Sequence, residues 1–344
     1  MPPTGGASAG RARRERRAQG RRMDSGRRGK HVWVGVAFVV ALGAAVAGSV
    51  VMWSRGGGKG RGTGAGPAPG APEASAELAA LGEGATIREP VVAGRFYSDD
   101  SAELVADVDG YLAAAAERPL PGLRALVVPH AGYRYSGPTA GVGFRQLRGR
   151  AFRTVYVLAP SHHAAFRGVH VGEYAAYRTP LGLVRVAPAA RAMLGVGPFV
   201  SVPEADREEH ALEVELPFLQ RVLADFSLVP LVYGAVDPVR VADALAPRID
   251  ADTLIVASSD LSHYLRYDAA VAMDRATLDA VVALDADRLG EDTACGRAPI
   301  RTVIELARRL GWRAELLDYR NSGDTAGDRS RVVGYGAVAF VEKD

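Results

Sequence analysis

The sequence predicts a single α/β domain over residues 87–344, with a central, mainly parallel or mixed sheet flanked by helices and one transmembrane helix ahead of it. Three observations predict this. Short β-branched apolar runs alternate with amphipathic stretches after residue 87. Three of those runs end in a polar cluster containing His or Asp. Near the N-terminus an uncharged apolar run lies between a basic arm and a Gly-rich linker.

The elements follow in chain order. Residues 1–30 form an arm whose stretch Arg11 to Lys30 is strongly basic and has no apolar period, so it is expected to be disordered. Residues 31–53 are read as the membrane anchor. Val32 through Trp53 carries no charge, and about 20 helical residues cross the hydrocarbon layer. Trp33 and Trp53 sit near its ends, and basic residues are denser before it than after it. This pattern predicts a single-pass membrane protein with a cytoplasmic N-terminus and an extracytoplasmic folded domain. Ala45-Val46-Ala47 offers the competing reading of a cleaved signal peptide, although the apolar run continues to Met52. Met23 is an alternative start that leaves the topology unchanged. Residues 54–86, rich in Gly, Ala and Pro, read as a flexible linker.

In the folded part Leu123 to Val128, Thr154 to Leu158 and Leu254 to Ala257 read as strands, and Arg331 to Val341 as a closing strand. Helical patterns cover Ser101 to Ala116, Leu212 to Ala224, Tyr267 to Leu284 and Ile300 to Leu310. In such sheets ligands bind beyond the carboxyl ends of the strands. Pro129-His130, Ser161-His162 and Ser258-Ser259-Asp260 fall there.

Composition narrows the function. The net charge of +3 over 344 residues arises from Arg and Lys crowded into the arm, and the remainder is mildly acidic. Nucleic-acid binding by the folded part is therefore not expected. The single cysteine, Cys295, excludes an intrachain disulfide. Five of the seven histidines lie in compact polar motifs: His130, His162, His163, His210 and His263. Imidazole, thiolate and carboxylate together suit a transition metal, although the spacing is neither that of a zinc finger nor HExxH. Each residue also has a bland reading. His130 caps a loop, one of His162 and His163 bonds backbone, and Asp260 caps a following helix. Likewise His210 is a core histidine held by Glu213 or a carbonyl, and Cys295 is a small buried hydrophobe.

Taken together, the motifs resemble a known family. From Val92-Ala93-Gly94-Arg95-Phe96-Tyr97 onward the chain carries PHAGYRYSG (129–137), PSHH (160–163), YRTPLG (177–182), EEHALEVELPFLQ (208–220), ASSDLSHY (257–264) and CGRAPI (295–300). In this order they resemble the Memo family, called AmmeMemoRadiSam system protein B in bacteria. The resemblance implies a fold similar to the class III extradiol dioxygenases. It implies a mononuclear pocket in which His130, His162 and Cys295 correspond to the proposed iron or copper ligands. Asp260 and His263 stand alongside with His210, as candidates for acid/base and orienting roles. Gly132, Gly137 and Gly296 would let backbone pass close to the site. The thiolate departs from the dioxygenase pattern, where a carboxylate completes the triad, so dioxygenase activity is not carried over. The bacterial name also associates the family with radical SAM and AMMECR-like proteins. Three functions compete: a metal-dependent redox enzyme acting on a small-molecule or peptide ligand, a non-catalytic metal- or peptide-binding module, and a metal-free hydrolase using Cys295. Sequence leaves enzyme status open among them.

Overall fold

The computed structural model describes residues 81–343 apart from residue 83. The basic arm, the expected anchor at 31–53 and nearly all of the expected linker lie outside the described residues. Among the described residues no helix is long and apolar enough to cross a membrane.

Numbered along the chain, the strands are β1 (Ile87–Arg88), β2 (Leu123–Val128), β3 (Thr154–Pro160), β4 (Val169–Val171), β5 (Ala176–Thr179), β6 (Gly182–Arg185), β7 (Phe199–Val200), β8 (Ser227–Tyr233), β9 (Thr253–Ser258), β10 (His263–Leu265), β11 (Trp312–Asn321) and β12 (Val332–Glu342). The longer helices are α1 (Ser101–Ala114), α2 (Tyr133–Arg145), α3 (Leu216–Val222), α4 (Pro238–Leu245), α5 (Tyr267–Val282) and α6 (Arg297–Leu310).

The sheet is mixed. β2, β9, β3 and β8 lie side by side and parallel. β12 pairs antiparallel with β2 and with β11, and β4 pairs antiparallel with β8 at the other side. Alternation along β2 sends Leu126 and Val128 into a core shared with Leu104, Val108, Leu112 and Phe144 of α1 and α2. Ala125 and Val127 enter the opposite core with residues of α4, α5 and α6, among them Leu245, Val281 and Ile304. Burial on both faces explains why the parallel strands read as unbroken apolar runs.

Several elements were not legible as strand or helix. α2 begins inside the PHAGYRYSG motif and contains Pro138 and three glycines. A Cβ on Gly137 would stand 2.6 Å from the Tyr111 ring of α1, so this glycine serves close helix packing. That corrects the expectation that it lines the site. β8 carries Pro230, a residue that argues against a central strand. The Pro230 carbonyl accepts from Gly172 just past the end of β4, so the missing N–H falls where β4 has already stopped. β1, β5 and β6 form a separate three-stranded sheet that positions Arg88.

Candidate metal centre

Because β2, β9 and β3 are adjacent and parallel, their carboxyl ends converge. β2 runs into His130, β3 into His162 and β9 into Ser259-Asp260, while Cys295 stands just ahead of α6. The segment 208–215 packs against these ends, Glu209 accepting from His162 and the Ala211 carbonyl from Ser258 Oγ. Here a Cβ on Gly296 would lie 2.5 Å from the Ser258 carbonyl oxygen, so only glycine lets the Cys295 loop rest on the end of β9.

One donor atom each from His130, His162 and Cys295 lies within 4.8 Å of the other two. His130 Nε2 is 3.3 Å from Cys295 Sγ. The other nitrogen of each ring is engaged elsewhere: His130 Nδ1 lies 2.7 Å from Ser258 Oγ, and His162 Nδ1 lies 2.9 Å from Glu209 Oε1. Such partners orient a ligating imidazole. Burial lowers the His130 pKa and raises the Cys295 thiol, whose neighbour Asp260 adds to the rise. Both groups therefore rest neutral without a metal.

A second group, His162, Glu209 and His210, is equally close. There the carboxylate is already committed. Glu209 Oε2 accepts from the His162 backbone N–H at 2.6 Å. Its Oε1 accepts from the His162 ring and from the N–H groups of His210 and Ala211, each at 2.9 Å. Glu209 therefore orients His162: its Oε1 is fully taken, and Oε2 keeps one acceptor site beside the His162 N–H. Burial alone would push this carboxyl up, but the hydrogen bond and charge of His162 hold it at about 2.

Behind it stands Arg88, buried at 3% exposure. Its guanidinium pairs with Glu213 and donates to the carbonyls of Glu209 and of Asp206, the latter at 3.2 Å. Glu213 also accepts from Val91, Val92 and the Tyr97 hydroxyl. The latch thus fixes the backbone of the 208–215 segment to the small sheet.

The other expected residues fall in different places. Asp260 does not cap a helix, because β10 and not a helix follows it. Its Oδ1 accepts from the backbone N–H of His130 at 2.9 Å and of Ala131 at 3.2 Å, fastening the loop after β2. Burial raises its pKa, and the charge of His263 opposes the rise. His210 stacks on His162 with ring centroids 4.7 Å apart and meets His130 edge-on at 5.5 Å. It is not held by Glu213, whose oxygens serve Arg88 and Tyr97. Its nearest carboxylate is Glu209, 3.6 Å from Nδ1. Burial lowers His210 to about 4. His263 is exposed on β10, its ring edge-on to Tyr264, outside the donor cluster. His163 is 42% exposed at the side chain. The positioning roles of Glu209, Ser258 and Arg88 escaped sequence reading. A run with Glu209, Glu213 and Glu215 at core spacing among apolar neighbours was the available signal, since buried acids demand partners.

With this geometry defined, comparison with known proteins is decisive. The family described as Memo-like protein matches residues 88–339. The chain belongs to the Memo family. The Memo match begins at Arg88 and contains every residue of the centre. A MEMO1 family protein of Sulfolobus acidocaldarius is 36% identical over 282 residues, covering 74% of this chain and 99% of its own length. Counterparts from Methanobrevibacter smithii and Nitrosopumilus maritimus are 34% and 32% identical, each covering 74% of this chain and 99% and 100% of their own lengths.

Proposed function

We propose that this Memo-family protein holds one iron or copper ion on His130 Nε2, His162 Nε2 and Cys295 Sγ and acts as a metal-dependent redox enzyme on a small or peptide-borne substrate. The observation that carries this reading is the convergence of two imidazoles and a thiol whose remaining ring nitrogens are already bound. Three ligands of mixed N and S type fall short of the closed four-ligand shell of structural zinc. The His162 side chain is 28% exposed, which leaves an open approach. An ion bound there would supply a redox-active Lewis acid. The chain's own groups do the rest: Asp260 holds the His130 loop, and Glu209 aims His162. His210, neutral near physiological pH and packed against both ligand rings, is placed to accept a proton.

Metal-free nucleophilic use of Cys295 is disfavoured by the same electrostatics. A reactive thiolate needs a cationic or polar setting, whereas burial here raises the thiol and lowers its imidazole partner.

The reading is tested by anaerobic purification and metal analysis of the full chain. Iron or copper near one equivalent is expected, with its loss in His130→Ala and Cys295→Ser. Metal content unchanged in both variants sinks the ligand assignment. Oxygen consumption against a substrate panel separates an enzyme from a non-catalytic binding module.

The membrane anchor at 31–53 belongs to the same proposal, with the domain on the extracytoplasmic side. On that topology, radical SAM and AMMECR-like proteins of the cytoplasm would be separated from it. Protease accessibility in intact cells against lysed cells decides the side.

A further inference from the structure

Ser258 stands directly behind His130 with three close partners and one proton. Its Oγ lies 2.7 Å from His130 Nδ1, 2.7 Å from the Ala211 carbonyl oxygen and 2.6 Å from Glu215 Oε1. Ser258 and Glu215 have no exposure and His130 has 2%, so bulk water does not mediate these contacts.

A carbonyl oxygen only accepts, whereas a hydroxyl has one O–H and two lone pairs. One assignment makes all three contacts hydrogen bonds. The Ser258 proton goes to Ala211, and the Ser258 lone pairs accept from His130 Nδ1–H and from a Glu215 O–H. If Ser258 instead donated to an ionised Glu215, the Ala211 carbonyl would face hydroxyl lone pairs at 2.7 Å. The carboxylate would then be a buried charge without an ion pair among the described residues, since Arg88 is engaged with Glu213. Its Oε2 also has no hydrogen-bond partner. Burial of an unpaired carboxylate is costly enough that such groups neutralise, and burial indeed raises Glu215 well above the carboxylate range.

We infer that Glu215 is held as a neutral carboxylic acid and, through Ser258, is the positioning residue that fixes His130 as its Nδ1–H tautomer, leaving Nε2 unprotonated toward Cys295 and His162. The tautomer stands on hydrogen bonding alone, and its value for binding a metal rests on the function proposed above. An Nε2–H tautomer would have to be reversed before that nitrogen could ligate.

The experiment is carried out on the full chain before metal loading. Nitrogen NMR of 15N-histidine-labelled protein, with the His130 signal identified by its absence in His130→Gln, should show Nδ1 protonated and Nε2 bare at neutral pH. Infrared spectra should contain a protonated-carboxyl C=O band that disappears in Glu215→Gln. The amide of E215Q can still donate to Ser258, so that variant should keep the tautomer and bind Fe(II) within about threefold of the parent. Glu215→Met removes the donor. It should mix the His130 tautomers and weaken anaerobically titrated Fe(II) by roughly 10–100-fold. An Nε2–H tautomer in the parent protein, or an ionised carboxyl at position 215, overturns the inference. A parent protein with the expected tautomer and carboxyl band that fails to take up Fe(II) supports the hydrogen-bond chain and rejects the metal reading.

Discussion

His130 and His162 meet in one pocket, yet they are held in opposite ways. His130 forms the floor: it is fully buried, and its Nδ1 partner is an uncharged hydroxyl. His162 forms a wall open to solvent, and its Nδ1 partner is a buried carboxylate. Burial moves the floor histidine below its ordinary pKa. On the wall, burial pulls in the same direction, but the hydrogen bond and charge of Glu209 outweigh it and raise His162. The floor is therefore a hydrogen-bonded network behind an uncharged hydroxyl, and the wall rests on a buried carboxylate. The difference teaches that two chemically identical ligands can be tuned apart by what sits behind their second nitrogen.

The largest expected break in this comparison comes from the wall's foundation. Arg88→Met removes the guanidinium paired with Glu213 and frees the carbonyls of Asp206 and Glu209. Breaking one side of a buried pair costs about 3–5 kcal/mol, read as a lowered denaturant midpoint. A loss below about 1 kcal/mol would mean that the latch is incidental.

The second test uses pH. Glu209 has a folded pKa depressed from 4.5 to about 2. A depressed carboxyl stabilises the fold above its unfolded pKa and loses that contribution as pH falls from about 4.5 toward 2. In the metal-free protein this amounts to about 3 kcal/mol, taking the ion pair once. Glu209→Gln should remove that acid limb, so the stability difference between parent and variant shrinks from neutral pH to pH 2. A difference independent of pH would show that the carboxylate charge is not what holds His162.

How legible these regions were in the sequence follows the same division. The floor and wall ligands were readable because strand ends are marked by Pro129-His130 and Pro160-Ser161-His162 after apolar runs, and because the motif order matched a family. The parallel strands β2, β3 and β9 were readable from the same apolar runs. What hid was whatever depends on tertiary proximity. Glu209 reaches His162 across 47 residues, and Arg88 reaches Glu213 across 125. No local spacing announces such pairs. α2 hid because its glycines and Pro138 contradict helix propensity, while Gly137 and Gly141 answer the close approach of Tyr111. β8 hid behind Pro230. The expected anchor at 31–53 lies outside the described residues.

The smallest expected effect lies away from the floor and the wall, on β10. Tyr264 follows His263 at a register irregularity between β10 and β12 and has φ of +59°. It is 52% exposed, with Arg331 lying 5.1 Å over its ring. A left-handed conformation costs a residue bearing a Cβ roughly 1–2 kcal/mol, and glycine escapes that cost. Comparing Tyr264→Gly with Tyr264→Ala isolates the backbone, because both variants lose the ring and its contacts. At an ordinary position alanine is the more stable by about 0.4–1 kcal/mol, since glycine frees the unfolded chain. Here the order should invert, with glycine ahead by about 1 kcal/mol, read from chemical denaturation of the two variants side by side. Alanine equal to or above glycine would show that the bend next to His263 relaxes freely. The inverted order would establish that the backbone at Tyr264, next to His263, is held out of its preferred region.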